Sequence, residues 1–448
     1  MHQVKNPDIR PLSFVGLRLL FGRPGGEPYN DLYRARHSVF WGAILGIGIS
    51  LIPLYIVLFV SNGMIQGITD RYLETKTSHL QMNLPFDFDA SQRNALIQDV
   101  SRIPGVISTF FEIDGIGLAA SQNGSTSAQI RGLDGAVLHD KGFNRFISVD
   151  EGQMYPNRQN EVVLGRYLAR KLEVKTGDSV TIITLKNVDS TNYLPKLAVF
   201  RVTGIISSGY RELDANWFII QSDAALRLLN STTAYAFLGI KISKPYGPEL
   251  DRIASEVSHA GEKYGLAGEQ GARVRTWREI EKSLFQSFSS TRSVLVLIMV
   301  IAIIVAALNL ASALSTFVIE HRAEIAIIRS FGVSRTQTAL IFLLGGTATG
   351  AIGCIAGSLA GIVISIFINQ IIGGIQAILD FASKLLSTNG QAIKLLNPDY
   401  YLEHIPITVD WRFVISILLS GIALSAIASL LPAMKSTSIA PAELIRHE

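Results

Sequence analysis

Four long stretches without a charged residue dominate this chain. Ser38–Thr69 is uncharged and dense in Ile, Leu and Val from Val39 to Val60. Ser293–Ile319, Thr336–Leu379 and Phe413–Ala433 are likewise uncharged, and Leu340–Ile372 is the spanning part of the third. A helix crosses a bilayer with about 20 mostly apolar residues, so each stretch is long enough. Backbone groups in lipid must be bonded internally, which makes these runs helices. Composition agrees: 48% of the 448 residues are hydrophobic and 17% charged, against about 25% charged in a soluble domain. High apolar content excludes a disordered chain, and a single cysteine, Cys354, excludes a disulfide scaffold. The 40 basic and 36 acidic residues nearly cancel and form no long basic block, so nucleic acid is not an expected partner. The first run starts too late and is too long for a cleaved signal peptide, and no lipidation signal precedes it.

Loop charge orients the spans. Lys5, Arg10, Arg18, Arg23, Arg34 and Arg36 precede the first run, and Arg322, Arg329 and Arg335 follow the second. The segment between the third and fourth runs carries only Lys384 and Lys394 against four acidic residues. Both termini and the loop near 320–336 are therefore expected in the cytoplasm. The resulting plan has a cytoplasmic segment 1–37, helix 1 at 38–62, an outer domain 63–290, helix 2 at 291–318 and a cytoplasmic loop 319–336. Helix 3 at 337–372, an outer loop 373–411, helix 4 at 412–434 and a cytoplasmic tail 435–448 complete it.

The outer segment is long enough for a core of its own. Ser179–Leu185, Phe200–Ile206 and Trp217–Ile220 are β-branched or aromatic runs that read as strands, and Gly177-Asp178 is a turn signal. Tyr167–Leu172, Asp223–Leu229 and Leu250–Tyr264 read as helices, giving an α+β domain. Gly63–His79 and Trp277–Ser290 lack strong breakers. The spacing of Trp277, Ile280, Leu284 and Phe288 predicts helical stalks continuous with helices 1 and 2.

Catalytic signatures are missing. There is no phosphate-binding G-x-x-x-x-G-K-[ST], no H-E-x-x-H and no G-x-S-x-G. The chain is expected to be no enzyme, to bind no metal and to hold no cofactor directly. Cys354 lies in an apolar run and reads as a packing residue. The spans carry no interior charge of the kind an ion-coupled carrier keeps. They do carry small residues: Gly42/Gly46, Gly346/Gly350, Gly353/Gly357 and Gly357/Gly361 are G-x-x-x-G pairs. Each permits close helix approach, within one subunit or across a dimer seam. In the loop, Glu320–Gly332 reads as a short amphipathic helix with Ile325, Ile328 and Phe331 on one side and Arg322, Glu324 and Arg329 flanking it. Gly332 can end it and Ser334 can cap the next helix. It either rests at the lipid headgroups or docks a partner.

Glu320–Arg335 resembles the coupling loop R-E-I-A-I-L-R-[AST]-[LMF]-G-[AV]-[ST]-R of the FtsX/MacB superfamily of ABC transporter permeases. Leu431–Glu448 resembles the family ending P-A-x-x-A-[AS]-x-x-x-P-x-E-A-L-R-x-E, with Ser436 and Ile445 departing from it. Phe14-Val-Gly-Leu-Arg18, Gly22-Arg23, Phe59-Val-Ser-Asn-Gly63, Trp277-Arg-Glu279 and Tyr400–Pro406 with Asp410-Trp411 are similar to segments of its LolC/LolE branch. In the outer domain Leu164–Ala169, Gly177-Asp178, Val202–Ile205, Ser208-Gly209 and Asp214 also agree.

The resemblance implies four transmembrane helices with a MacB-like periplasmic core domain between helices 1 and 2, and an FtsX-like permease domain over 291–441. It implies a multi-pass protein of the inner membrane of a diderm bacterium that releases lipoproteins to a periplasmic chaperone. ATP would be used by a separate ABC subunit, and a second permease subunit, a copy or a paralogue, would complete the complex. ATPase coupling falls on Arg322, Glu324, Ile325, Ile328, Arg329, Phe331 and Gly332. A chaperone hook falls on the insert at Asn187, Tyr193, Leu194, Pro195 and Lys196, where a plain hairpin loop is the other reading. Another superfamily role (an exporter or a wall-hydrolase regulator) and a non-transporting sensor or scaffold are the competing functions.

Overall fold

A computed structural model describes residues 30–189, 192–266, 273–320, 322–330, 333–386, 405–407 and 409–437. The described residues begin with one long helix, α1 (Asn30–Tyr72), which passes into a π-helical turn, Leu73–Thr77. There follow β1 (Leu80–Leu84), α2 (Ala90–Ser101), β2 (Val106–Ala120), β3 (Ser125–Leu133), α3 (Lys141–Phe146), β4 (Ser148–Gly152), β5 (Glu161–Gly165) and α4 (Arg166–Leu172). Then come β6 (Ser179–Asp189), β7 (Asn192–Ser207), α5 (Arg211–Asp214), β8 (Trp217–Gln221), α6 (Ser222–Leu228), β9 (Ala234–Ile242), α7 (Glu249–Glu262), β10 (Val274–Thr276) and α8 (Trp277–Ile280). The chain continues with α9 (Lys282–Glu320), α10 (Arg322–Ser330), α11 (Arg335–Ile366), α12 (Ile368–Leu386) and α13 (Trp411–Thr437).

Two compact units result, one of residues 1–63, 290–377 and 406–448, the other of 64–289 and 378–405. Among the described residues four helices are long and apolar enough to cross a membrane, in α1, α9, α11 and α13. Their shared core joins Ile47, Leu51, Tyr55 and Phe59 of α1 to Leu310 and Leu314 of α9, Phe342 and Cys354 of α11 and Val414 and Ile417 of α13. The hydroxyl of Tyr55 lies 2.9 Å from Ser358 Oγ and 3.4 Å from the Val414 carbonyl, so a buried polar group is satisfied inside the bundle.

The second unit is the expected α+β domain. Its ten-stranded sheet runs β10-β1-β9-β2-β3-β8-β5-β7-β4, and β6 pairs with both β2 and β7. The pairings β2-β3-β8-β5-β7-β6 therefore close on themselves. Ala128, Ile130, Val162, Leu164, Val180, Ile182, Val202 and Phe218 from these strands belong to one core and are shut off from solvent. The pairs β3–β8 and β5–β7 are parallel; the rest are antiparallel. Helix α7 turns Leu250, Ile253 and Val257 inward, a helical repeat, onto the core that holds Leu80 and Met82 of β1.

Every strand and helix read from the sequence of this domain is present. Strands β1 to β5, β9 and β10 and the short helices α2, α3 and α5 escaped that reading. The second stalk also differs from expectation: α8 ends at Ile280, and Glu281 (φ −108°, ψ 37°) breaks the helix before α9 resumes at Lys282. After α11 the chain stays helical as α12, where the sequence reading begins a loop at residue 373.

Candidate functional site

Three features carry the residues singled out in the sequence. The first is α10, the amphipathic helix between α9 and α11. Ile325 and Ala326 are buried, Arg322 is exposed and Arg329 is half-buried. Ile325 belongs to the core of the helical bundle. It therefore packs the helix against its own chain. Glu324 and Ile328 lie on α10, and Phe331 and Gly332 fall outside the described residues. Ser334 caps α11 as expected, in a reciprocal box with Gln337: its backbone N–H donates to Gln337 Oε1 at 2.9 Å and its Oγ accepts from Gln337 N at 3.3 Å.

The second is the hairpin β6–β7. Residues 187–189 and 192–196 do not form a separate insert but continue the two arms, with Asn187 opposite Tyr193, Lys186 opposite Leu194 and Leu185 opposite Pro195. Leu194 is 58% exposed. The base of the hairpin is tied down on one face. Lys196 Nζ donates to the Arg227 carbonyl, Thr184 Oγ1 to the Leu228 carbonyl at 3.4 Å and Asn230 Nδ2 to the Leu185 carbonyl at 2.9 Å. Two of these acceptors are the last carbonyls of α6, which have no helical partner and favour a cation. Lys196 thus ties the base of the hairpin to the end of α6.

On the opposite face the closed circuit leaves an apolar strip that the sequence reading missed. Leu118, Ile183 and Leu197 sit side by side across β2, β6 and β7, flanked by Ile116, Leu185, Pro195 and Val199. Directly opposed residues share a face. Ile116, Leu197 and Val199 are each more than 60% exposed. The signal in the sequence was there: apolar residues at consecutive positions of β7 serve both faces, where a half-solvated strand would alternate.

The third is the glycine seam of the helical bundle. A Cβ at Gly353 would lie 3.0 Å from the Ile44 carbonyl, at Gly357 2.6 Å from the Gly48 carbonyl and at Gly361 2.8 Å from Tyr55 Cβ, so this stripe of α11 packs on α1. Gly346 and Gly350 face α13, where a Cβ would meet Ser429 Oγ at 2.2 Å and Ser425 Cβ at 2.3 Å. Gly42 and Gly46 do not pack within this chain, since a Cβ at either meets nothing within 4 Å, which leaves the dimer-seam reading of that pair; Gly48 is the α1 glycine that touches α11.

The MacB-like periplasmic core domain matches residues 40–245, and the FtsX-like permease C-terminal domain matches residues 296–441. The chain is 26% identical over 416 residues to the lipoprotein-releasing system transmembrane protein LolC of Neisseria meningitidis serogroup B, covering 91% of this chain and 93% of that one. Against LolC of Xylella fastidiosa it is 26% identical with the same coverage. Against LolE of Haemophilus influenzae it is 26% identical over 69% of this chain and 68% of that one. Two family domains in their expected order, relatives that align almost end to end and four helices long and apolar enough to span a membrane agree: the chain is a multi-pass membrane protein that belongs to the FtsX/MacB superfamily of ABC transporter permeases and is similar to its LolC/LolE proteins.

Proposed function

We propose that this chain is the permease subunit of an ABC transporter that extracts lipoproteins from the inner membrane and passes them to a periplasmic chaperone. The observation that carries the reading is the likeness to lipoprotein-releasing LolC proteins over 91% of the chain. ATP is hydrolysed by a separate ABC subunit, and a second permease subunit completes the complex. The chain itself holds no cofactor. The N-terminus, the 319–336 loop and the C-terminus face the cytoplasm, and the sheet domain faces the periplasm.

The physics of the cargo sets the task. A lipid anchor is held by about 0.8 kcal/mol per buried methylene, so three long chains amount to on the order of 30 kcal/mol. One nucleotide cycle cannot expose them to water, and the acyl chains must stay covered as they move. Helix α9 offers Val294, Leu297, Ile301, Val305 and Leu308 along one uncovered apolar stripe, and α1 offers Trp41, Leu45 and Ile49. These faces suit lateral entry of an acylated cargo between α1 and α9 of two permease subunits. Closure of the ATPase acts on α10, and the β6–β7 hairpin with its apolar strip receives the chaperone.

Replacing Ile328 and Phe331 together with Asp tests the coupling. The ATPase subunit should no longer co-purify, and lipoproteins destined for the outer membrane should accumulate in the inner-membrane fraction. Normal association together with normal sorting would refute the reading.

A further inference from the structure

The outer end of α1 is held in an unusual way. After Tyr72 the helix widens into the π turn Leu73–Thr77, and Ser78 then takes φ +57°, a left-handed value rare outside glycine. Single π turns inside α-helices recur at functional positions. The last carbonyls of a helix have no helical partner, and three side chains from three strands of the sheet meet them here. Lys241 Nζ of β9 donates to the Glu74 carbonyl at 2.7 Å, Arg131 Nη1 of β3 to the Thr75 carbonyl at 2.7 Å and Gln81 Nε2 of β1 to the Thr77 carbonyl at 2.9 Å.

Each cation is also paired. Lys241 bonds Glu74 Oε2 at 2.8 Å and Asp140, and Arg131 Nε donates to Glu112 Oε1 at 2.7 Å. Arg131, Glu112, Lys241 and Asp140 are at most 5% exposed. Gly142 is confined by this cluster, since a Cβ there would lie 1.7 Å from Glu74 Oε2. Lys76, the residue between two clasped carbonyls, forms a half-buried ion pair at 2.8 Å with Glu281, the residue that interrupts the second stalk.

Buried ion pairs of this kind are weak sources of stability, because desolvation offsets much of their attraction. An apolar interface would hold a helix end to a sheet at lower cost. Hydrogen bonds differ from apolar contact in being directional: they fix the rotation and the axial position of the helix end against three separate strands. A helix that slides or turns must carry those strands with it.

We propose that Lys241, Arg131 and Gln81, clasped on the π turn, form the mechanical joint through which movement of α1 drives the outer sheet. Lys76–Glu281 engages the second stalk in the same joint. These are positioning residues: they touch neither cargo nor nucleotide. The proposal rests on the transport reading above.

The test is the number of ATP molecules hydrolysed per lipoprotein released, measured in proteoliposomes that hold the whole transporter, with a fluorophore-labelled triacylated lipoprotein and its soluble carrier. A joint that slips wastes strokes, so Lys241→Met and Arg131→Met should raise this ratio at least about fivefold, the lower end of usual coupling effects. Lys76→Met, at a half-buried pair that tolerates substitution, should raise it about twofold, a coupling loss below the usual range. Val257→Ala weakens the core of the same domain without touching the clasp and should leave the ratio at the wild-type value, because misfolded copies lower turnover and release alike. An unchanged ratio in Lys76→Met and in whichever clasp variants assemble would overturn the joint. A wild-type transporter that hydrolyses ATP without releasing lipoprotein would overturn the transport reading, and the joint with it.

Discussion

Gly357 and Gly48 bring two helix backbones together with no room for a side chain. In lipid the attraction between helices is packing and close contact, because the surrounding tails are as apolar as the side chains. Gly357→Leu should therefore cost about 3 kcal/mol of bundle stability, as overpacking does at a tight site, whereas Gly42→Leu should leave it unchanged. Thermal unfolding in detergent separates the two. Spacing singled out Gly353, Gly357 and Gly361, which pack on α1, but not Gly48, the α1 glycine they meet. A G-x-x-x-G pair states that a face is small and leaves open which way it turns, and Gly48 has no glycine partner four residues away. Buried charge in the outer domain was likewise illegible, because Glu112 and Arg131 become partners only through the β2–β3 register. Burial pushes the Glu112 carboxyl up to about 7, against the pull of Arg131. Asp114 and Asp214 are raised by burial too, opposed by Arg131, Tyr235 and Gln129 in one case and by Ser207 and Ser208 in the other. A raised carboxyl stabilises the fold below its ordinary value, 4.5 for Glu112, and loses that contribution as pH climbs through the folded-state value. Local stability of β2 and β3 should fall between pH 4.5 and about 7. Glu112→Gln should flatten that slope, read by amide hydrogen exchange; an equally steep slope in the variant would show that Glu112 does not titrate there.

At the scale of elements, the β6–β7 hairpin has two separable parts. Its base is fastened to the end of α6 through Lys196, Thr184 and Asn230, and its arms carry exposed Leu194 and the apolar strip. Leu194→Asp should abolish capture of the chaperone while leaving the ATPase bound. Lys196→Ala should only weaken capture, by about tenfold, the 1.4 kcal/mol expected when one charge-assisted bond that orients the arm is lost. Pull-down of the soluble chaperone on the full chain decides between them, and equal loss in both would mean that the tether itself is the contact. Strands with β-branched runs bounded by turns, such as β6 and β8, were legible. The long β2 was not: Asp114, Gly115 and Gly117 interrupt its apolar pattern, and it is held by pairing on both sides with β3, β6 and β9. The break at Glu281 escaped for the opposite reason, since nothing in Trp277–Phe288 disfavours a continuous helix and the interruption coincides with the Lys76 ion pair.

The whole chain combines apolar spans without interior charge, a short amphipathic helix between the second and third spans, and a sheet domain whose helix junction is clasped by buried ions. The likeness to lipoprotein-releasing permease proteins supports the proposal that the energy source is a partner and that the work is done in this chain. The four spans and their order were legible because lipid imposes length and apolarity on each of them. The closed strand circuit was not, because long-range pairing leaves no local mark. The most direct test is reconstitution in proteoliposomes of the chain with its second permease subunit and the ATPase, scoring transfer of a triacylated lipoprotein to its soluble carrier. ATP-dependent transfer that vanishes when this chain is omitted is the predicted result; ATP turnover by this chain alone, or transfer that proceeds without it, would contradict the account.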